Sequence, residues 1–495
     1  MLLIYVQGGV LGTKFMGNKR YDNFESKAKL VTVTNYELST IDLNCNSLNR
    51  MIELCHPEKG RLSYSITPNV PKRRLPYCPF ILCGDGTPFY EANLLILDKI
   101  ENRALVNPDT VKKFATDLLD YLRFCEDKNL DMYKFPRRKL DRPTYQYKME
   151  VQSQVNEGRS KVSGQRMVNA VVAFYRGLKA IGLLQRDDFE NVPFEEMDMT
   201  IRGSTSYGGR TRRTVSTTDL TIKGSKNTTK DSEYIYDGGK LLPMTYEHQE
   251  MMLEDLKENA SPELRLMVLI ALYTGGRKQT ICTLRLSQID IHIDDLDSTD
   301  EVTILQGSES GSDTKNDKTM YLTFPVWLVD QLQIYAASER SLKRRNLSRL
   351  GDSDANYIFL TKRGLPYYYG KYTEEELVEY SPIKNPRNGD ATRQQWVKMR
   401  SRLQAKDPSW NYKFHYLRAT FGMNLVDRFV YANSKIKDPK ARIPDTEILN
   451  EVMARMGHDN IETTQGYLNF RRKKALLKAA QSNWEERLLR AAYGS

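Results

Sequence analysis

Apolar residues recur at three- and four-residue steps in several windows of the chain, and each such window predicts one face of a helix. Val111, Phe114, Leu118, Leu122 and Cys125 follow Asn107-Pro108, a good N-cap and first-turn pair. Met167, Val171, Phe174, Leu178 and Ile181 predict a helix that begins after Ser163 and ends near Gly182. A weaker helix is expected between them, over 143–157. Leu264, Met267, Val268, Ile270, Ala271 and Leu272 predict a strongly apolar helix over 262–273. Gly275-Gly276 close it, and Arg277 opens the next helix with Ile281 and Leu284. Gln288 to Ile291 reads as a strand entry, and 302–305 with 320–325 as the two strands of a hairpin. Further helices are expected around 391–405, 415–430, 446–456 and 472–492, with a helix start at Glu247-His248. The pattern as a whole is mainly α with a small β-sheet, an α+β class.

Composition divides the chain. Its 495 residues suffice for several domains, each with a core of its own. Residues 1–104 have weak periodicity, and their fold is not legible. Pro68, Pro71 and Pro76 around Lys72-Arg73-Arg74 suggest an extended basic segment, either a solvated linker or a contacting arm. Residues 105–196 read as a small helical domain. Residues 197–240 are rich in Gly, Ser and Thr, with Arg202, Arg210, Arg212, Arg213, Lys223, Lys226 and Lys230. They read as an exposed basic linker with room for short strands. Residues 241–495 form the last domain.

The net charge of +11 and pI near 9.1 favour a polyanionic partner. No run of 18 apolar residues appears, so no transmembrane helix is expected. Met1 to Val6 is apolar but short and lacks a basic flank, which suits a buried strand or a start at Met16 better than a signal peptide. A cytoplasmic protein is expected, nucleoid-associated if bacterial. Cys45, Cys55, His56, Cys78 and Cys83 have irregular spacings without a Cys-x-x-Cys pair, and read as reduced thiols rather than a zinc site.

Chemistry concentrates near the C-terminus. His458 and Tyr467 stand in Gly457-His458-Asp459-Asn460-Ile461-Glu462-Thr463-Thr464-Gln465-Gly466-Tyr467. Upstream lie His415-Tyr416-Leu417-Arg418 and Thr274-Gly275-Gly276-Arg277. Cleaving a phosphodiester needs cations at the non-bridging oxygens, an activated nucleophile and an acid for the leaving alkoxide. Arg277 and Arg418 suit the first task, because a guanidinium pairs bidentately with phosphate and keeps its charge. His415 and Arg418 are i and i+3, on one helical face, so one can take a tyrosine proton while the other holds phosphate. His458 would donate to the same phosphate. Taken singly, each residue has a plainer reading: a surface Arg, a chance His-x-x-Arg, a packed Tyr among 29.

The set Arg277, His415, Arg418, His458 and Tyr467, in this order, resembles the active-site set of the tyrosine recombinases, the phage-integrase family. The resemblance implies a helical, SAM-like core-binding domain over 105–196 followed by a mixed α/β catalytic domain over 241–495. It implies a Lys on the β-hairpin as general acid; Lys315 lies at the matching place and Lys318 is its rival. The implied product is a 3′-phosphotyrosyl bond at Tyr467 with a free 5′-hydroxyl, made without metal, ATP or other cofactor. The implied function is site-specific recombination, such as integration or excision of a mobile element. Double-stranded DNA would be the partner, within a homo- or hetero-tetramer, with room for accessory proteins. A type IB topoisomerase, a telomere resolvase and a non-catalytic DNA-binding protein are the competing readings. The chain departs from the family in two ways. The acidic residue usual three positions after the first Arg is replaced by Thr280, beside Gln279. Insertions are expected within 335–400 and from Val430 to Ile443. The amphipathic helix after Arg471-Arg472-Lys473-Lys474 either packs on its own domain or docks on a neighbouring protomer.

Overall fold

The computed structural model describes residues 25–37, 39–42, 51–56, 60–68, 74–101, 108–184, 191–204, 210–223, 234–297, 299–368, 370 and 388–473. Met1 to Val6, Asn107, most of the 335–400 insertion beyond position 370, and the C-terminal helix past position 473 lie outside the described residues. The described residues fall into two compact units, one of residues 25–223 and one of 234–473. The whole is mainly helical with small antiparallel sheets, the class the sequence pattern predicts.

The first unit begins with β1 (Lys29–Glu37), which pairs antiparallel with β5 (Arg74–Leu82). Between them β2 (Ser39–Asp42), β3 (Met51–His56) and β4 (Gly60–Pro68) make a separate sheet in the order β2-β4-β3. Helices α1 (Tyr90–Glu101), α2 (Pro108–Asp127), α3 (Pro143–Asn156) and α4 (Lys161–Ala180) follow. The predicted α2 stripe is real: Val111, Leu118, Leu122 and Cys125 are buried. The core continues across position 104, however. Ile81, Phe89, Ile96 and Ile100 pack in one cluster with Leu118, Phe174 and Leu178. Asn93 on α1 clips this junction, exchanging two side-chain hydrogen bonds with the Ile81 backbone at 2.8 and 3.0 Å.

The stretch read as a basic linker carries two hairpins. One pairs β6 (Glu196–Ser204) with β7 (Arg210–Thr218), and Leu220 and Ile222 just beyond it enter the first unit's core. The other pairs β8 (Ile235–Tyr236) with β9 (Lys240–Leu241) and belongs to the second unit.

The second unit is built round α6 (Pro262–Thr274), with Leu264, Leu266, Met267, Val268, Ile270, Ala271 and Leu272 all buried. Ser261 caps its start by accepting from the Leu264 amide, and Gly275 closes its end in the left-handed region at φ 67°. Before it comes α5 (Tyr246–Asn259); after it comes the short α7 (Lys278–Cys282), for which Arg277 is the N-cap residue. The expected strand entry at Gln288 is a 3₁₀ turn, Leu286–Gln288. Gln288 folds back to accept from the Arg285 amide at 2.8 Å, and the strand-like pairing here is an isolated antiparallel bridge just upstream, Arg285 with Tyr357.

The hairpin forms as predicted, β10 (Glu301–Gln306) against β11 (Met320–Pro325). Then come α8 (Val326–Ala337), α9 (Glu339–Asn346), α10 (Asp390–Lys406), α11 (Tyr416–Lys435), α12 (Asp445–Met456) and a helix described over 461–473, α13. The loop expected from Val430 is helical as far as Lys435, and only 436–444 is irregular apart from a 3₁₀ turn at Pro439–Ala441. Among the described residues no helix is long and apolar enough to cross a membrane.

Candidate active site

Four chain segments meet at one carboxylate. Asp237, in the turn between β8 and β9, is buried at 4% exposure. Its Oδ2 accepts from Arg418 Nε at 2.7 Å, from His458 Nε2 at 3.0 Å and from the Tyr467 hydroxyl at 3.3 Å. Its Oδ1 faces Arg277 at 3.7 Å. Arg277, Arg418, His458 and Tyr467, named from sequence, are therefore brought together.

Each side chain is placed by a definite local feature. Arg418 lies in the first turn of α11, 1% exposed, where the C-terminal ends of α6 and α12 converge. It donates through Nη1 to the Gly275 carbonyl at 2.8 Å and through Nη2 to the Met456 carbonyl at 2.5 Å. Unsatisfied carbonyls and the negative ends of two helix dipoles make that corner favourable for a buried cation. Gly457 ends α12 at φ 59°, turning the chain so that His458 points inward. His458 Nδ1 lies 2.9 Å from the Thr464 hydroxyl, and an ionised Asp237 can only accept, so Nε2 is the donor on that side. Tyr467 sits three residues after Thr464 on α13, fully buried, with its ring against Gly422 of α11. A Cβ at Gly422 would come within 2.5 Å of that ring, so only Gly permits this approach.

His415 is the N-cap residue of α11, half-buried, in the field of the same cations. Burial lowers its pKa to about 4, and Arg418, Arg277 and Lys315 push the same way while Asp237 opposes. It is neutral at pH 7. Burial alone would push the Asp237 carboxyl up, but the His458 hydrogen bond and the Arg418 charge hold it well below the usual carboxylate range. Burial raises the Tyr467 phenol well above its ordinary value, and the Asp237 charge adds to that; Arg418 only partly offsets them.

The two candidate lysines are placed differently. Lys315 is exposed in the loop between β10 and β11, whose next two residues, Asn316 and Asp317, both take positive φ. Its Nζ hangs over the β8–β9 turn, 3.3 Å from where a Gly238 Cβ would stand. Among the described residues no carboxylate pairs with it. Lys318 instead ion-pairs with Asp459 and donates to the Gly457 carbonyl at 3.2 Å, so it ties the loop to the His458 turn. Thr280 is buried in α7, and among the described residues the carboxylate that pairs with Arg277, Arg418 and His458 is Asp237.

Sequence reasoning missed Asp237 and Thr464. Asp237-Gly238-Gly239 between two short apolar-edged runs is a readable turn signal, but nothing in it marks chemistry. Thr464, one helical turn before Tyr467, had the spacing as its only signal. Among the described residues no group of three or more His, Cys, Asp and Glu is arranged to hold a metal ion.

No protein-family model matches the chain, and no curated protein does. Solved structures share part of its backbone course. One is the XerH site-specific recombinase bound to its difH substrate in a pre-cleavage complex, 14% identical over 76% of this chain and 81% of that one, with a TM-score of 0.40. XerH in a post-cleavage complex with palindromic difH is 14% identical over 80% and 88%, with a TM-score of 0.43. The Tn1549 transposon integrase with circular-intermediate DNA is 15% identical over 76% and 94%, with a TM-score of 0.42. What bears on function is the side-chain cluster itself, not these alignments.

Proposed function

We propose that the protein breaks and rejoins DNA strands by transesterification, with Tyr467 as nucleophile, and that it serves as a site-specific recombinase. The observation that carries this reading is the convergence of Arg277, Arg418, His458 and Tyr467 on a single anion-binding point. Structural ion pairs rarely collect two guanidiniums, an imidazole and a phenol round one oxygen pair. A phosphodiester needs that set.

In this reading the two guanidiniums and His458 Nε2 hold the non-bridging oxygens of the scissile phosphate. Neutral His415 accepts the Tyr467 proton; it is a weak base at rest, and an entering phosphate anion strengthens it by favouring its charged form. The Tyr467 oxygen attacks phosphorus, the bond to the 5′-oxygen breaks, and Lys315 gives that oxygen its proton. The product is a 3′-phosphotyrosyl link, which keeps the bond energy, and a free 5′-hydroxyl from a second DNA end reverses the step. Lys315 is preferred to Lys318 because it lies over the site without a carboxylate partner, whereas Lys318 is already paired. DNA is the partner that suits both this chemistry and the +11 charge.

A nicked duplex carrying a site from the flanks of the gene's own element tests this, in magnesium-free buffer. An SDS-resistant adduct through the 3′-phosphate is expected from the parent and none from Tyr467→Phe. Tight binding without adduct, even with the element's other proteins added, would sink the catalytic reading.

A further inference from the structure

His458 and Tyr467 each have a single atom to offer a phosphate. His458 Nδ1 is engaged by Thr464, which leaves Nε2, and Tyr467 has only its hydroxyl. Both atoms are spent on Asp237 Oδ2, together with Arg418 Nε, while Arg277 faces the other oxygen. A DNA phosphate cannot take these donors while the carboxylate holds them, and two anions in one pocket repel strongly. Yet a cluster this buried needs one anion, because removing all counter-charge would strand Arg418 in the interior.

We propose that Asp237 is a built-in phosphate mimic that fills the scissile-phosphate seat at rest, and that the β8–β9 turn withdraws when a DNA phosphate enters. This rests on the reading under Proposed function. The hairpin is built for displacement. Its ladder is only Ile235 with Leu241 and Tyr236 with Lys240. Ile235 and Leu241 anchor it in the core, while Tyr236, Gly238, Gly239 and Lys240 are exposed. The Asp237 carboxylate ties the turn to the cations, an Asp237-to-Gly239 backbone bond at 3.1 Å closes it internally, and the Lys240 ammonium lies over the Tyr234 ring at 5.4 Å. Exchange of carboxylate for phosphate leaves the charge of the pocket balanced. It also releases the Tyr467 hydroxyl from an acceptor that keeps it protonated, so the nucleophile becomes competent only when its substrate is seated. The rival is a permanent brace, in which Asp237 stands in for the acid missing at Thr280 and stays in place during catalysis.

The test compares the parent with Asp237→Asn and Asp237→Ala in two assays, inorganic phosphate titrated by thermal shift and adduct formation on the nicked duplex. The plug predicts that both variants bind phosphate at least tenfold more tightly than the parent and rise in Tm with it, and that they form adduct faster. Unchanged phosphate affinity with slower adduct formation means a fixed brace and overturns the plug, while DNA breakage stands. A gain in phosphate binding with no adduct from any of the three proteins upholds the plug in the anion seat and sinks DNA breakage. Should the variants fail to fold, hydrogen exchange of the parent decides. Amides of 235–241 lose protection when uncleaved duplex binds if the turn withdraws, and unchanged or greater protection overturns it.

Discussion

At the scale of single residues, the two lysines make the sharpest contrast. Lys315 hangs over the site and Lys318 is tied to Asp459 and Gly457. If Lys315 protonates the leaving oxygen, Lys315→Ala slows cleavage of an ordinary duplex by roughly 10²–10⁴-fold, the usual worth of a positioned acid. A duplex with sulfur at the 5′-bridging position should restore the rate, since a thiol, with a pKa of about 8.5, leaves without a proton. Lys318→Ala should lose stability or binding, and sulfur should not rescue it. Rescue of both or of neither would remove Lys315 from the acid's role. His415 gives a prediction in pH. Its folded pKa of about 4 lies below the ordinary 6.5, so the unfolded chain binds the extra proton first. Stability from this group is present above pH 6.5 and drains away as the pH falls toward 4. The Asp237 contribution has the same sign and a lower window, lost only below the ordinary carboxylate range. Melting temperatures across pH 4–6.5 should therefore fall less steeply in His415→Asn than in the parent, and equal slopes would contradict the assignment.

Between elements, the contact of α11 with α13 decides where Tyr467, the proposed nucleophile, sits. Gly422→Ala puts a methyl within 2.5 Å of the Tyr467 ring and 2.8 Å of Met456 Sδ. Overpacking of this kind costs about 1–3 kcal/mol, and part of it is relieved by pushing the ring away from Arg418 and His458. The expected result is a modest drop in Tm with a much larger loss of adduct; a Tm drop with full adduct formation would mean the ring has room to yield. These elements also divide what the sequence reveals from what it hides. The helices α2, α4 and α6 were legible because their own apolar period is strong, and the β10–β11 hairpin because its pairing is local. The cationic residues and the tyrosine were legible by type and order. Asp237 was not, because its partners lie 181, 221 and 230 positions away and its own neighbourhood says only "turn". The helix α9 was hidden by its basic composition. Arg344 and Arg345 are nonetheless buried there, the first paired with Glu263 at 2.7 Å and the second with Asp352 at 2.6 Å. Long-range charge pairing, which no local period records, reverses the usual exposure of arginine.

For the molecule as a whole, the proposed reading gives each chain one nucleophile, Tyr467, and one anion seat, the Asp237 pocket. A single copy can open one strand and hold one 3′ end. Exchange between duplexes then requires a copy for each strand of each duplex, brought together at paired sites, whereas relaxation of supercoils requires one copy on one strand. The two activities therefore differ in how they depend on the number of target sites. On a supercoiled plasmid with two sites, the recombinase reading predicts deletion or inversion of the segment between them, falling away when either site is removed. Relaxation of a plasmid that carries no site would instead mark a topoisomerase built on the same chemistry. Salt separates binding from assembly in the same experiment. A chain of net charge +11 that neutralises several phosphates must lose affinity linearly in log salt, with a slope of about −0.9 per phosphate contact. Adduct on a single site should follow that slope. Recombinant product should fall more steeply, because every additional copy on the DNA adds its own displaced counterions to the cost of the assembly. Equal slopes for adduct and product would mean that one chain does the work alone.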